Sequence, residues 1–177
     1  REGGNIQAIC RNERYRFFEE VMKTHKCTKL VTAHHADDQL ESMLMALTKS
    51  SSLNGLKGIL PIRNFFENAV IRPFLMVTKN EIGEYLHSKG VSYREDPSNS
   101  KHDYTRNRFR HHIVPILKEE NPLVSQHAVH IAQQLTEDDS YLMDLAKVRF
   151  SELFNKFDKI YYKVKVSAFQ KEPLALQ

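Results

Sequence analysis

Residues 28–47 read TKLVTAHHADDQLESMLMAL, and this stretch decides the fold. Its first part, 28–33, is short and rich in β-branched residues, which predicts a buried strand. From Asp37 onward, apolar side chains recur at steps of three and four residues, which predicts a helix with one buried face. That face consists of Leu40, Met43, Leu44 and Leu47. A strand, a polar turn and a helix in this order are typical of a parallel α/β unit.

Segments on both sides continue the α/β pattern. An amphipathic helix is predicted at 11–25, and a second strand at 69–72, closed by Pro73. Thr78 and Glu81 form a capping box that predicts the start of another helix. The residues predicted to face inward from these two helices are Tyr15, Phe18, Val21, Met22, Ile82, Tyr85 and Leu86.

The last part of the chain is predicted to be mainly helical. A helix at 105–119 contains Pro115, so a kink or a break is expected there. The predicted buried residues of this helix are Phe109, Ile113, Ile116 and Leu117. Asn121-Pro122 is a helix stop and the predicted domain boundary.

Beyond this stop, near-heptad spacing of apolar residues predicts one long helix or two helices in line. These residues are Val124, Ala128, Ile131, Leu135, Leu142 and Leu145. The alternation at 159–166 predicts a single strand, for which the chain supplies no second strand.

Composition is that of an ordinary globular protein, with 41% hydrophobic and 27% charged residues. A net charge of +4 permits a polyanionic partner without requiring one. Cys10 and Cys27 form no CxxC pair, which favours a reducing cytoplasmic setting and small, buried or half-buried side chains. No apolar run reaches the ~18 residues that a membrane helix needs, so no membrane insertion is expected.

The segment 33–41, AHHADDQLE, concentrates histidines and carboxylates where the predicted strand gives way to the helix. Such strand ends line ligand crevices in open α/β sheets. At ~100° per residue, Asp38 and Glu41 share an exposed side of the helix, opposite its apolar face. This pair favours a cation between its members, either Mg²⁺ or an ammonium group. Alternatively, acids in the first turn stabilise a helix through its dipole by ~0.3–1 kcal/mol each, with no ligand required. This effect accounts for the presence of Asp37 and Asp38 but does less to account for Glu41.

The densest positive charge in the sequence lies within the helix predicted after residue 104. At helical spacing, Arg106 and Arg110 project toward its buried side, and Arg108 projects away. A guanidinium group near a buried face needs an anion, and its planar fork suits phosphate. The alternative is an ion pair of Arg106 or Arg110 with an acid such as Asp96.

Arg72 is the last residue of the second predicted strand. A position at a strand end would let it face a ligand. From spacing alone, a surface salt bridge is the favoured interpretation. Gly55 and Gly58 are too few for a phosphate-binding loop and predict a tight turn.

Several short segments of the chain match one known family in order. They are Arg14-Tyr15 with Phe17-Phe18, Ala33-His34-His35 with Asp37-Asp38-Gln39 and Glu41, Gly55-Leu56 with Gly58-Ile59, Arg72-Pro73, Glu95-Asp96 with Ser98-Asn99, and Tyr104 with Arg106-Asn107 and Arg110. Together they resemble the tRNA(Ile)-lysidine synthases, members of the PP-loop ATP pyrophosphatase group. The resemblance spans roughly residues 11–122.

The resemblance implies an α/β fold with a partial Rossmann-like parallel sheet, followed by a mainly helical segment and the start of a second domain. Residues 1–122 are expected to be the C-terminal part of the PP-loop catalytic domain. Residues 123–177 are expected to be a helical linker and the beginning of a tRNA-binding domain. The implied reaction uses ATP and Mg²⁺. ATP adenylates the C2 oxygen of the wobble cytidine of tRNA(Ile) with a CAU anticodon, and free L-lysine then displaces AMP.

Residue roles also follow from the resemblance. Asp38 and Glu41 are expected to hold the lysine ammonium group, or Mg²⁺ at Asp38, and Arg110 to neutralise charge on the α-phosphate. The expected ATP or phosphate ligands are His34, His35, Arg72 and Arg106, and the expected tRNA contacts are Arg108 and His112. The family's SGGxDS loop does not occur in the sequence and would lie upstream of Arg1. The chain by itself is therefore expected not to catalyse the full reaction.

Three alternatives stay open. PP-loop tRNA thiolases that use paired cysteines would need a CxxC motif, which is missing. A metal-dependent HD phosphohydrolase shares the His-His and Asp-Asp pairs, but its histidines sit in an all-helical fold. A non-catalytic RNA-binding module would use the basic segments to contact phosphate without chemistry.

Overall fold

The computed structural model of the chain describes residues 6–49, 52–94, 96, 105–156 and 161–176. The predicted strand–turn–helix unit is present, with β1 at Lys29–Val31 and α2 at Ala36–Lys49. The prediction that β1 is buried is wrong, because Val31 is 58% exposed. Among the described strands β1 has a partner on one side only, which makes it an edge strand.

The sheet is mixed and not purely parallel. β3 (Asn68–Ile71) lies between β1 and β2 (Ile62–Phe65), parallel to β1 and antiparallel to β2. Strand β2 was not predicted, because its hairpin with β3 turns without a glycine. Phe66 adopts the positive φ of 51° that such turns usually assign to Gly or Asn.

One hydrophobic cluster joins this sheet to α1 (Ile6–Thr24). Met22, Phe65 and Val70 are buried in it, and the partly buried residues packed on them are Tyr15, Phe18 and Leu30. The predicted inner face of α1 is therefore confirmed except at Val21, which is 37% exposed.

A second cluster joins α2 to the helices that follow the sheet. Leu40, Val114 and Ala128 are buried in it, and the partly buried residues packed on them are Met43, Leu44, Leu117 and Val124. Leu47 was predicted to belong here but is 66% exposed. The short helix α3 (Leu53–Leu56) follows α2.

The capping box at Thr78 is confirmed at the start of α4 (Lys79–Ser88). The Thr78 N–H donates to Glu81 Oε2 at 2.7 Å, and the Glu81 N–H donates to Thr78 Oγ1 at 3.2 Å. The prediction that Tyr85 faces inward is wrong, because its side chain is 62% exposed.

The break predicted near Pro115 takes the form of a π-helical turn at Phe109–Ile113, between α5 (Thr105–Arg108) and α6 (Val114–Glu120). The Val114 N–H donates to Phe109 O, five residues earlier. This wider turn shifts the phase of the following helix. Ile113 and Ile116, predicted to be buried, are therefore exposed, and Val114 is buried in their place.

Residues beyond Val129 form a separate compact unit, His130–Gln177. The long helix is confirmed as α7 (Val124–Leu153), after a stop at Asn121, although Ile131 on its predicted apolar face is 46% exposed. The assignment of 123–177 to a second domain stays a prediction.

Strands β4 (Asn155–Lys156) and β5 (Tyr162–Lys163) pair antiparallel in this unit. The predicted strand thus has a partner, which corrects the prediction of a single strand, although residues 159–160 lie outside the described part. Helix α8 (Val166–Phe169) and a 3-10 turn at Leu174–Leu176 follow. Arg149 joins α7 to the last segment through both oxygens of Glu172.

Two expectations from composition meet the structure directly. Cys10 and Cys27 are both exposed, so the prediction that they are buried or half-buried is wrong. In the described part of the chain, none of the helices has the length and apolar character needed to cross a membrane.

The Gln39 side chain holds the turn that follows α3, at Lys57 to Ile59, against α2, and Gly58 leaves the space for it. The Gln39 side chain is 1% exposed, donates to Lys57 O at 2.9 Å, and accepts from the Ile59 N–H at 2.7 Å. Gly58 adopts φ +60°, and a Cβ built there would lie 2.7 Å from Gln39 Nε2. Only glycine fits, because both the backbone conformation and the space exclude a side chain.

Gly58→Ala is expected to lower the free energy of unfolding by about 2–3 kcal/mol, through left-handed strain and displacement of Gln39. Gly90 is a matched control, because it has φ +63° with nothing within 4 Å of a built Cβ. Gly90→Ala should cost only about 1 kcal/mol. Equal losses of the two variants in urea denaturation would show that the Gln39 contact contributes nothing.

Candidate functional site

The first two turns of α2 carry three carboxylates, and they are not exposed. Glu41 is 1% exposed, Asp37 is 6% exposed, and the Asp38 side chain is 14% exposed. The prediction of an exposed face shared by Asp38 and Glu41 is therefore wrong. The segment that begins with α5 packs over this face and brings arginines onto it.

Glu41 is the centre of an ion-pair cluster. Arg110 donates to both of its oxygens, from Nε to Oε1 at 2.6 Å and from an Nη2 to Oε2 at 2.9 Å. Arg106 Nε lies 3.0 Å from Oε2, and its Nη2 donates to Ser42 Oγ at 2.8 Å. Asp38 Oδ1 accepts a longer bond of 3.3 Å from Arg110. A bidentate Arg–carboxylate pair fixes the plane and direction of the guanidinium group.

Electrostatics keep Arg110 charged in this position. Burial by itself would lower the pKa of Arg110, but the Glu41 hydrogen bonds and the charges of Glu41 and Asp38 outweigh it and raise the pKa. The cation between the two carboxylates is thus a side chain of the chain itself. The alternative of an ion pair between these arginines and an acid is present in the structure, with Glu41 of α2 as the acid for both Arg106 and Arg110.

Asp37 joins three later segments to the start of α2. Its Oδ1 accepts from Ser125 Oγ at 2.6 Å and lies 2.5 Å from Lys118 Nζ. Its Oδ2 accepts from the Lys79 N–H at 2.8 Å. Burial alone would raise the pKa of Asp37, but the hydrogen bonds from Lys118, Ser125 and Lys79 outweigh it and lower the pKa. Asp37 therefore holds these three segments together at the site.

The two histidines of the turn have different surroundings. His35 lies between the acids, with Nδ1 at 3.7 Å from Asp37 and Nε2 at 3.5 Å from Asp38. His34 Nδ1 lies 2.8 Å from Thr32 Oγ1. Burial lowers the pKa of His34, and nearby guanidinium groups lower it further, so its ring is neutral at pH 7.

Two cavities border this cluster. One, of about 710 Å³, is lined by Glu41, Arg110 and residues of both charges from α4 and α6. The other, of about 390 Å³, is lined by His34, Arg72 and Arg106, among others. The cluster of Arg110 and Glu41 thus borders the first cavity and reaches the second through Arg106.

Comparison with known proteins decides the family. A family model described as the PP-loop domain matches residues 1–117, which is well over half of the chain. The chain belongs to the PP-loop family.

Three relatives of this PP-loop chain carry the name tRNA(Ile)-lysidine synthase. The chain is 43% identical over 176 residues to the tRNA(Ile)-lysidine synthase of Bacillus subtilis (strain 168), covering 99% of the chain and 37% of the relative. It is 40% identical to that of Bacillus licheniformis over 98% of the chain and 36% of the relative. The chain is 43% identical to the tRNA(Ile)-lysidine synthase of Geobacillus kaustophilus (strain HTA426), over 87% of the chain and 33% of the relative. The chain spans about a third of the length of the curated relatives it matches.

The PP-loop membership agrees with the observed sheet. β1 pairs parallel with β3 and ends at Val31, just before His34. This strand excludes the all-helical surroundings of the HD phosphohydrolase alternative, which is therefore rejected.

The PP-loop domain brings most of the predicted site residues together. Asp38, Glu41, Arg106, Arg110 and His35 form one cluster, and His34 and Arg72 line the adjoining cavity. Arg108 and His112 lie apart from the cluster, both exposed, and Arg108 donates to Thr105 Oγ1 at 3.4 Å.

Arg72 corrects one expectation. It was expected in a surface salt bridge, but it is 7% exposed, and among the described residues it takes part in no ion pair. Its guanidinium donates to Leu60 O. Sequence reasoning also missed Arg11, Arg63 and Ser42, which come from three different elements and share no local motif.

The same geometry bears on Mg²⁺. The described residues contain no group of three or more His, Cys, Asp or Glu arranged to hold a metal ion. Both oxygens of Asp38 already contact nitrogen atoms, Oδ1 with Arg110 and Oδ2 with His35. Asp38 therefore already accepts from a guanidinium group and from the backbone N–H of His35, and a resident divalent ion would have to displace these donors.

Proposed function

We propose that the complete protein attaches lysine to C2 of the wobble cytidine of tRNA(Ile) with a CAU anticodon, consuming ATP. The C2 oxygen attacks the α-phosphorus of ATP and pyrophosphate leaves. The lysine amine then attacks C2, AMP leaves, and the amine loses its proton. Relatives named tRNA(Ile)-lysidine synthase, 40–43% identical over most of the chain, support this proposal.

The observation that carries it is the Arg110–Glu41–Asp38 cluster. The reaction needs a cation beside a phosphate that gains charge and a carboxylate beside an ammonium group. Both kinds of group meet here within 3.3 Å. Arg110 lies 69 residues after Glu41 and 72 residues after Asp38 in the sequence. These side chains therefore come together only in the folded protein.

The two carboxylates take different roles in this proposal. Glu41 is fully buried and held on both oxygens by Arg110, so it positions the guanidinium group. Asp38 is partly exposed and only weakly bound to Arg110, so it accepts the lysine ammonium group. The cavity of about 710 Å³ is lined by Glu41 and by side chains of both charge signs, which suits a zwitterionic amino acid.

The remaining roles stay proposals on the same basis. Arg110, with Arg106, neutralises the α-phosphate, and the groups placed near the nucleotide phosphates are His34, His35, Arg72 and Arg106. Arg108 and His112 are the proposed tRNA contacts, and the cytoplasm is the proposed location. Mg²⁺ would be held mainly by the phosphates of ATP, with Asp38 as a candidate ligand that the observed contacts do not favour.

Asp38→Asn is expected to reduce ATP-dependent incorporation of labelled lysine into tRNA by about 10²-fold, because an amide cannot offer a negative charge to the ammonium group. The stability loss should be about 1 kcal/mol, since Asp38 holds Arg110 only through one long hydrogen bond. Asp144→Asn is the control, at an acid whose side chain is 69% exposed.

Full incorporation by Asp38→Asn would contradict this assignment. Binding of tRNA by the complete wild-type protein without any ATP-dependent lysine transfer would favour the non-catalytic RNA-binding alternative. Transfer of sulfur instead of lysine would favour another PP-loop tRNA-modifying enzyme.

A further inference from the structure

Four arginines line the cavity of about 390 Å³. They are Arg11 from α1, Arg63 from β2, Arg72 after β3 and Arg106 from α5. We refer to the cavity that they line as the arginine cavity. Among its described lining residues there is no aspartate or glutamate. Arg106 has a carboxylate partner in Glu41, whereas the other three take part in no ion pair among the described residues.

Tyr15 organises the arginines that lack a carboxylate. The guanidinium of Arg11 lies 5.3 Å from the centre of its ring, and that of Arg63 lies 5.2 Å from it. The ring is itself fixed by an edge-on contact with Phe65 at 5.5 Å. Cation–π contacts hold cations in place without neutralising them.

Unpaired polar atoms and a lowered pKa show that the grouping of these arginines is unfavourable. Nε of Arg63 and Nε of Arg72 are buried without a hydrogen-bond partner. Burial lowers the pKa of Arg72, and the charges of Arg63 and Arg11 lower it further. Gathering like charges around an open cavity is unfavourable unless an anion occupies it.

An aromatic surface adjoins the arginine cavity. Arg11 and Arg63 also line a neighbouring cavity of about 590 Å³, together with Tyr15 and Phe66. Phe66 is 67% exposed and packs on Phe65 at 4.9 Å between ring centres. Exposed aromatic rings beside unpaired arginines are the usual chemistry for binding unstacked bases and their phosphates.

We propose that Arg11 and Arg63, at the side of the arginine cavity next to Phe66, bind a backbone phosphate of an RNA strand, that Phe66 stacks on an adjoining base, and that Tyr15 is the positioning residue of this phosphate site. The identity of this RNA as the substrate tRNA rests on the proposed function. The binding itself does not, because it can be measured without lysine or turnover.

Arg63→Gln in the complete protein tests the phosphate contact. It should raise the Kd for tRNA about tenfold in filter binding and lower the slope of log Kd against log salt by about one counterion. Lys89→Gln is the control, because Lys89 is exposed, its Nζ lies 5.6 Å from the centre of the Tyr85 ring, and it lines neither of the two cavities. Arg63→Gln removes a like charge from the cluster, so the melting temperature of this variant should not fall. If the glutamine variant fails to fold, Arg63→Lys replaces it. Arg63→Lys is expected to keep the slope of log Kd against log salt and to lose affinity for tRNA.

Phe66→Leu tests the stacking contact. It should raise the Kd for tRNA about fivefold or more without changing the salt slope, because stacking involves no counterion release. Tyr85→Leu, at another exposed aromatic residue, should leave the Kd unchanged. Tyr15→Phe keeps the ring and removes the hydroxyl, so it should weaken tRNA binding less than Arg63→Gln.

The proposal is overturned if Arg63→Gln and Lys89→Gln have the same Kd and slope for tRNA. It is also overturned if Arg63→Gln weakens binding of ATP in calorimetry while tRNA binding is unchanged, since the phosphate would then belong to the nucleotide. Loss of lysine transfer with normal tRNA affinity in the wild-type protein would refute the proposed function and leave this site standing.

Discussion

Arg110→Ala is expected to reduce the rate of adenylation by about 10²-fold or more at saturating tRNA, as for loss of one transition-state charge stabiliser. Its guanidinium is held by Glu41 on two oxygens and therefore cannot turn away from the site. Arg110→Lys should rescue little, because an ammonium group cannot make the same bidentate pair. Pyrophosphate release in a single turnover measures this step.

Arg108 gives the comparison within the same segment. It is exposed and forms only a 3.4 Å bond to Thr105, so Arg108→Ala should weaken tRNA affinity in a salt-dependent way. The rate at saturating tRNA should stay close to that of the wild type. The opposite pattern, with Arg108 controlling the saturated rate and Arg110 only the affinity, would show that the two sides of this segment are wrongly assigned.

Asp37→Asn is expected to lower the free energy of unfolding of the first unit by about 2–4 kcal/mol at pH 7. The change leaves Lys118 without its counter-ion and weakens the bonds from Ser125 and the Lys79 N–H. Lys118 is 35% exposed, so water offsets part of the loss, which keeps the estimate below that for a fully buried pair. Urea denaturation at pH 7 gives the difference.

The pH dependence of that difference has a defined sign. The folded pKa of Asp37 lies below its ordinary value of 3.8, so its contribution is complete above that value. It is lost as pH falls through the folded pKa. The gap between wild type and Asp37→Asn should therefore shrink below pH ~4. Glu13→Gln, at an acid whose side chain is 58% exposed, should change stability by less than about 0.5 kcal/mol at either pH.

Local pattern was sufficient to predict the elements that carry the site. The strand–turn–helix at 28–47, the capping box at Thr78 and the long helix after Asn121 are all present. Each depends on contacts within a few residues, such as helical periodicity or a side chain that caps its own helix. The directions of Arg106, Arg108 and Arg110 were also predicted, since they follow from helical spacing.

Burial of the acids could not be predicted in the same way. Periodicity placed Asp38 and Glu41 opposite the apolar face of α2, which in an isolated helix means exposure. Whether a polar face is covered depends on what packs on it, and here a segment about 70 residues later supplies Arg110. The π-helical turn likewise exchanged Ile113 for Val114 in the core, because one wider turn rotates every residue after it.

The sequence by itself determined the PP-loop resemblance, the order of the main elements and the residue types that carry charge at strand and helix ends. Only the tertiary structure decided that Glu41 holds Arg110, that Asp37 joins three segments, and that Arg72 is buried beside Arg63. Local periodicity fixes the direction of a side chain about its own helix or strand. The partner that it meets in that direction comes from a distant part of the chain, and its identity is set by how the elements pack.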